Sequence, residues 1–124
     1  SKKDNILITT GLINLELVDK LKNNFFEHVN KNIFHKKISN FNIYLIDKPS
    51  FKDIESMLRQ AKTLVACHGA ITHASNSFQL KIIDIIEEEK VSFYKRFTSY
   101  IYKYESVYRN DFSILKNNIL DKIN

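Results

Sequence analysis

The chain has 124 residues, of which 44% are hydrophobic and 27% charged, and its formal net charge is +5. This length and composition predict one globular domain with its own core, and exclude a disordered or collagen-like protein. The positive charge favours anionic partners such as nucleotides, nucleic acid or acidic lipid headgroups.

Apolar runs and helical periodicities alternate along the chain, which predicts alternating strands and helices. The predicted strands span residues 5–10, 42–47, 63–67 and 80–86. The predicted helices span residues 15–29, 51–61, 70–79 and 114–123. Ser50 is the expected N-cap of the second helix, because Asp53 three residues later completes a capping box.

Two segments lack this periodicity. Residues 30–40 are polar and irregular and predict a loop, whereas residues 87–110 are charged and aromatic and predict a loop with short helical turns. The alternation elsewhere predicts an α/β fold, with residues 1–124 forming a single Rossmann-like domain of three layers. We expect a mainly parallel sheet of about four strands, helices on both faces and a C-terminal helix.

Both glycines of the chain, Gly11 and Gly69, follow an apolar strand and precede a helix. In a single parallel sheet both turns would lie at the carboxyl edge, where ligands of open α/β sheets bind. Helix N-termini there offer N–H groups to an anion, and glycine lets the backbone approach a phosphate closely. The alternative is that each glycine only permits a tight turn.

The sequence LVACHGAITHAS, residues 64–75, places a thiol and two imidazoles around Gly69. Cys67 and His68 are neighbours at a strand end, so their side chains should point to opposite faces and not form a nucleophile–base pair. We expect the lone Cys67 to be a buried small hydrophobe. No metal is expected, because no CxxC, HxH or HExxH spacing is present. His68 and His73 remain candidates for phosphate or sugar contacts, or are solvated turn residues.

The C-terminal third interleaves basic and aromatic residues, which are Lys95, Arg96, Lys103, Arg109, Tyr94, Tyr100, Tyr102, Tyr104 and Tyr108. Such a surface can bind single-stranded nucleic acid or lie on an anionic membrane surface. The alternative is a packed C-terminal segment whose tyrosines cover the sheet edge. Nucleic acid is not an expected partner, because no RNA-recognition, KH or Walker A motif accompanies the charge.

From residue 5 to 86 the order of elements resembles the C-terminal, nucleotide-sugar-binding domain of GT-B glycosyltransferases, particularly the heptosyltransferase-like family 9. The motif of that family is a strand followed by a D-[ST]-G-P-x-H-x-A turn, a helix and an apolar strand. By position Gly69 matches the motif glycine, while Ala70 and His68 replace its proline and hydroxyl residue. The HGA turn is also similar to an HGAG-type turn in family 61 glycosyltransferases.

The sequence departs from the family motif at two further positions. Cys67 stands where the family has an aspartate, and Thr72 where it has the histidine, with His73 one place later. The family also has a glutamate after the first glycine that binds the ribose, and Glu16 is the matching residue. The residues expected to bind the donor are Thr10, Gly11, Glu16, His68, Gly69, Ala70, Ile71, Thr72, His73, Lys95 and Arg96.

The resemblance implies the donor-binding part of an inverting, metal-independent enzyme that transfers a hexosyl or heptosyl group to a cell-surface glycan or lipid, as in bacterial lipopolysaccharide synthesis. No cofactor and no metal are expected. The acceptor site and catalytic base would belong to an N-terminal partner domain outside this chain, so the isolated chain is expected to be inactive. The expected location is cytoplasmic, and peripheral contact with the anionic inner face of the membrane is left open as an option. The alternative is a non-enzymatic α/β module whose basic aromatic surface binds nucleic acid or a protein.

Overall fold

The computed structural model describes residues 5–123, and this part of the chain is α/β, with five α-helices and two β-sheets. The α/β class and the C-terminal helix therefore agree with the sequence-based expectation. The chain divides into two compact units, with the boundary between Ile54 and Glu55. None of the helices within residues 5–123 is long and apolar enough to cross a membrane.

The first unit contains one helix and a four-stranded mixed sheet. Its elements are β1 (Asn5–Thr9), α1 (Glu16–Asn24), β2 (Glu27–Asn30), β3 (Ile33–Ile38) and β4 (Phe41–Ile46). The strands lie in the order β1-β4-β3-β2, with β1 parallel to β4 and the other two pairs antiparallel.

The prediction of a loop over residues 30–40 is wrong, because two hairpins occupy this region. The turns follow β2 and β3, and each begins with a residue of positive φ, Lys31 at 46° and Ser39 at 52°. Hairpin turns of this kind are ordinarily marked by glycine or asparagine at the first left-handed position, and that signal is missing here. The predicted first helix, residues 15–29, is also too long. The observed helix ends at Asn24, and Val29 lies in β2.

The second unit contains a three-stranded sheet in which all strands are parallel. Its elements are β5 (Thr63–Cys67), α3 (Ala70–Ser75), β6 (Lys81–Ile86), α4 (Val91–Thr98), β7 (Tyr104–Tyr108) and α5 (Phe112–Ile123). A short 3₁₀ turn, Asn76–Phe78, follows α3. The strands lie in the order β5-β6-β7, so β6 is central.

The helix α2 (Phe51–Gln60) precedes β5 and begins at the predicted cap. The Asp53 N–H donates to Ser50 Oγ at 3.1 Å, and the Ser50 N–H donates to the Asp53 carboxylate at 3.4 Å. These two reciprocal bonds are the capping box that the sequence predicted.

The prediction of a single, mainly parallel sheet of four strands is wrong. The predicted strands fall into two separate sheets, β1 and β4 in one and β5 and β6 in the other. A strand has only two edges for hydrogen bonding, and those of β4 are taken by β1 and β3. The edges of β6 are likewise taken by β5 and by β7, a strand that lies in the segment predicted as loop.

The core of the second unit is built on β6. Ile82, Ile83 and Ile86 are almost completely buried, as expected for the central strand of a parallel sheet. Asp84 lies among them and is also fully buried. A carboxyl group in this position requires hydrogen-bond partners, and these partners define the candidate site.

Candidate functional site

The end of β5 turns His68 inward and Cys67 outward. The His68 side chain is 13% exposed, whereas Cys67 is exposed to solvent. The two side chains therefore point apart, and no thiol–imidazole pair forms between them, as the alternation of a strand predicts. The expectation that Cys67 is buried is wrong, because its place on the strand faces solvent.

The Asp84 carboxyl group accepts hydrogen bonds from three surrounding elements. Its Oδ2 lies 2.6 Å from His68 Nδ1 and accepts from the Tyr104 hydroxyl at 2.6 Å, and its Oδ1 accepts from Thr72 Oγ1 at 3.2 Å. Because the carboxyl oxygens accept, the proton of the shared His68 bond lies on Nδ1. Asp84 thus joins the turn after β5, the helix α3 and the strand β7, and it orients the His68 ring.

Tyr104 is fixed as a hydrogen-bond donor. Burial raises the pKa of its phenol above the ordinary value, and the hydrogen bond and charge of Asp84 raise it further. A phenolate would be both desolvated and adjacent to a carboxylate, which is unfavourable on both counts. Tyr104 therefore holds one oxygen of Asp84 throughout the physiological pH range.

A second imidazole continues this network towards solvent. His73 Nε2 lies 3.4 Å from His68 Nε2, and the Tyr100 hydroxyl lies 2.6 Å from His73 Nδ1. The Tyr94 ring, from α4, lies against the His68 ring with centroids 4.2 Å apart. We call Asp84, His68, His73 and Tyr100 the imidazole cluster. It runs from the buried centre of β6 to the exposed Tyr100.

Two N–H groups in the turn at Gly69 donate hydrogen bonds to other atoms of the same turn. The Gly69 N–H donates to Thr72 Oγ1 at 3.2 Å, and the Thr72 N–H donates to the Gly69 carbonyl at 3.0 Å. The N–H groups of Gly69 and Thr72 are therefore engaged within the turn and are not available to an anion. The N–H groups of Ala70 and Ile71 begin α3, where an α-helix leaves its first donors without helical acceptors.

Neither glycine is required by the packing of the protein around it. A Cβ atom at Gly69 would meet only the Cys67 carbonyl oxygen, at an ordinary 3.9 Å, and one at Gly11 would meet nothing within 4 Å. Gly69 has extended backbone angles that any residue adopts. Neither the packing around position 69 nor its backbone conformation therefore explains why this residue is a glycine.

The remaining predicted residues of the first unit form a different arrangement. Gly11 follows a strand of the first sheet and Gly69 a strand of the second, so the expectation that both lie at one sheet edge is wrong. Thr10 Oγ1 donates to Asp47 Oδ1 at 2.7 Å, which ties the ends of β1 and β4 together. Glu16 pairs with Lys20 at 3.3 Å, and its side chain is 84% exposed.

Asp47 gives the first unit a testable dependence on pH. The hydrogen bond from Lys22, 2.8 Å away, and that from Thr10 lower the pKa of Asp47. A lowered carboxyl pKa contributes stability that is fully present above the ordinary Asp value of about 3.9 and is lost as pH falls through the lowered value. Replacing Lys22 by methionine, which has a similar helix propensity, should therefore destabilise the chain at pH 7 more than at about pH 2.5.

Urea denaturation of the wild-type chain and of Lys22→Met at the two pH values measures this difference. Lys20→Met is the matched control, because among residues 5–123 the ion pair of Lys20 is the exposed one with Glu16. Such surface pairs contribute about 0–1 kcal/mol, so this variant should be near neutral at both pH values. A Lys22→Met deficit that stays constant between the two pH values would contradict the assignment.

Part of the basic aromatic segment is engaged by the imidazole cluster and its aspartate. Lys95 and Arg96 are exposed on α4, and no hydrogen bond or ion pair within residues 5–123 joins them to the imidazole cluster. Three of the tyrosines, Tyr94, Tyr100 and Tyr104, contact His68, His73 or Asp84, and of these Tyr100 remains exposed.

Sequence reasoning missed Asp84 and the roles of two tyrosines, Tyr104 as the partner of Asp84 and Tyr100 as the partner of His73. One signal was available for Asp84, because an aspartate inside the apolar run LKIIDII must be buried if the run is a central strand. The tyrosines carried no comparable signal, since their segment was not recognised as containing β7.

Comparison with known proteins gave no match, since no family model, no curated protein and no solved structure is significantly similar to the chain. The geometry of the second unit therefore carries the functional argument.

Proposed function

We propose that the second unit is the nucleotide-sugar donor-binding part of a glycosyltransferase. The observation that carries this proposal is the position of His68 and His73 at the carboxyl end of the parallel strand β5, beside the Gly69 turn, where Asp84 from the neighbouring strand β6 orients His68. Ligands of open parallel α/β sheets bind at this end of the strands. Sequence resemblance to GT-B enzymes in the same turn supports a diphosphate-linked sugar as the ligand class.

The chemical fit is that of an anion next to imidazolium and amide donors. The Nε2 atoms of His68 and His73 face each other, opposite the nitrogens that Asp84 and Tyr100 hold, and a ring that is protonated on both nitrogens donates from its Nε2. The N–H groups of Ala70 and Ile71 begin the adjacent helix. The bare backbone at Gly69 allows a phosphate oxygen to approach these donors closely.

In this proposal the chain positions the donor and stabilises the leaving diphosphate. Asp84 keeps the His68 ring in one orientation, so that its Nε2 needs no reorientation when the glycosidic bond breaks and charge develops on the diphosphate. Lys95 and Arg96 on α4 would supply additional positive charge near this turn. The acceptor and the base that deprotonates it would come from a second domain.

The alternative, a module that binds nucleic acid through its tyrosines, has less support. Tyr94, Tyr100 and Tyr104 are engaged by the imidazole cluster and its aspartate. Arg109 lies 3.6 Å from Glu87, which offsets part of the basic charge. Stacking platforms require aromatic faces that are open to bases.

The test is a titration of the full chain with ADP, UDP and GDP, in the presence of EDTA, followed by amide chemical shifts. We expect saturable changes at millimolar nucleotide or below, centred on Gly69, Ala70 and Ile71. Adenosine, uridine and guanosine without phosphates should give much weaker changes, because the proposed donors recognise the diphosphate.

Variants separate the site from nonspecific attraction to a basic protein. His73→Gln should weaken nucleotide binding, whereas His35→Gln, which removes an imidazole from β3, should leave it unchanged. Changes spread over the basic surface, or no changes near Gly69 at millimolar nucleotide, would overturn the proposal.

A further inference from the structure

The hydrogen bonds of the imidazole cluster run in one direction and use every ring nitrogen of His68 and His73. His68 Nδ1 donates to Asp84 at 2.6 Å, so a neutral His68 ring presents a bare Nε2. That atom lies 3.4 Å from His73 Nε2, which therefore carries the proton of this contact. His73 Nδ1 then accepts from the Tyr100 hydroxyl at 2.6 Å. The neutral cluster thus satisfies its own nitrogens and leaves no imidazole N–H for a ligand.

One added proton reverses this situation. The bare Nε2 of His68 is the favoured place for it, because the positive charge then lies on the ring that Asp84 contacts, whereas the partner of His73 is a neutral hydroxyl. Both Nε2 atoms would then carry an N–H group. Two N–H donors cannot hydrogen-bond each other, so both need a new acceptor at the same place.

We propose that His68 and His73 bind one tetrahedral oxyanion of the phosphate class through their two Nε2–H groups, and that each anion is bound together with one proton. The inference rests on the proposed function and adds to it the protonation state in which the diphosphate binds. The proton comes from solvent and adds to His68 Nε2, and no other bond is made or broken. Two oxygens of one oxyanion can accept from both donors, in bonds that the charges strengthen.

The other titratable and charged groups near the two rings come from β6, β7, α4 and the residues that follow these elements. They are Asp84, Glu87, Tyr94, Lys95, Arg96, Tyr100 and Tyr104. Within residues 5–123 the carboxylate paired with an imidazole is Asp84, which offsets the charge of one imidazolium. Burial raises the pKa of Tyr104, so it stays a neutral donor. Glu87 is held elsewhere, by the Tyr94 hydroxyl at 3.3 Å and by Arg109 at 3.6 Å.

The test is titration of the full chain with sodium sulfate at constant ionic strength, followed by nitrogen-15 NMR of the imidazole rings. Sulfate keeps the same charge at about pH 5.5 to 8.5, on both sides of the ordinary imidazole pKa of about 6.5, so any dependence on pH belongs to the protein. We expect a millimolar dissociation constant at the acid end. Towards the alkaline end it should rise by about tenfold per pH unit, as linkage to one proton requires.

The rings report where the proton is added. At about pH 7.5, where a free imidazole is mostly neutral, saturating sulfate should convert His68 from the form protonated on Nδ1 alone to the form protonated on both nitrogens. His28 and His35 should keep their forms.

Matched variants separate this pair from general attraction of sulfate to a basic protein. His73→Gln removes one of the two donors and leaves the contact of Asp84 with His68 in place, and it should weaken sulfate binding about tenfold or more at about pH 5.5. The double variant His28→Gln/His35→Gln removes the other two histidines and should bind sulfate like the wild type. Circular dichroism checks that each variant is folded.

The outcomes distinguish this inference from the proposed function. Sulfate binding that does not change with pH, or that His73→Gln and the double variant weaken equally, would overturn the inference, while the titration with ADP, UDP and GDP still decides the proposed function. Proton-linked sulfate binding without any response to the nucleotides would support the anion site and overturn its assignment to a nucleotide-sugar donor.

Discussion

Replacing Asp84 by alanine is expected to lower the free energy of unfolding by about 3–5 kcal/mol, because three donors lose their common buried acceptor. Asp84 is fully buried and accepts three hydrogen bonds, from His68, Thr72 and Tyr104. The variant leaves these donors without their acceptor and opens a cavity at the centre of β6. Each unsatisfied buried donor costs about 1–3 kcal/mol, offset where water can enter.

The measurement is urea denaturation of both chains followed by circular dichroism. Asp121→Ala is the matched control, since Asp121 is exposed on α5 and its loss should change stability by no more than about 0.5 kcal/mol. Should Asp84→Ala fail to fold, Tyr104→Phe removes a single donor and should cost about 1–2 kcal/mol. A loss below about 1 kcal/mol for Asp84→Ala would show that the carboxyl is not buried among these partners.

Replacing Ile83 by alanine should cost about 2–5 kcal/mol, the range for truncating a large aliphatic side chain in a core. Ile83 has no exposed surface and lies on the central strand of the three-stranded sheet, paired with Val65 and Glu105. This loss of stability has two parts, the transfer free energy of the apolar atoms that are removed and the free energy of the cavity that they leave. The cavity persists because a central strand has little freedom to move into it.

The same chemical change at an exposed position provides the control. Ile114 lies on α5 and is 45% exposed, so Ile114→Ala should cost much less than Ile83→Ala. Alanine also has the higher helix propensity at this position, which offsets part of the loss. Equal effects of the two substitutions would contradict the central placement of β6.

Local patterns predicted the individual elements well where the periodicity was strong. The strand over 63–67 has the predicted bounds, and α2 begins at the predicted capping box. The two missed hairpins have Lys31 and Ser39 in the left-handed conformation, which no turn motif marks. Pairing was harder to predict, because an apolar run does not show which strand will occupy each of its edges.

The candidate site was predicted in part. His68 and His73 were singled out from the turn, and the structure brings them together with Asp84 and Tyr100. The partners of Asp84 lie 12 or more positions away in the chain, so no local pattern in the sequence marks them. Contacts of this kind depend on the tertiary fold, which the sequence periodicity does not specify.

The location of the proton on His68 tests the cluster most directly. The structure requires His68 to carry its proton on Nδ1, where Asp84 accepts it, and leaves Nε2 free towards His73. His28 provides an internal comparison in the same spectrum. Its Nε2 lies 2.8 Å from the Lys31 carbonyl oxygen, an acceptor only, so His28 must carry its proton on Nε2.

Nitrogen-15 NMR of the imidazole rings, recorded without metal at about pH 8, above the ordinary imidazole pKa of about 6.5, distinguishes the two forms. We predict that His68 is protonated on Nδ1 and that His28 is protonated on Nε2. A His68 ring with its proton on Nε2 and a bare Nδ1 would contradict the contact with Asp84, and with it the imidazole cluster on which the proposed function rests.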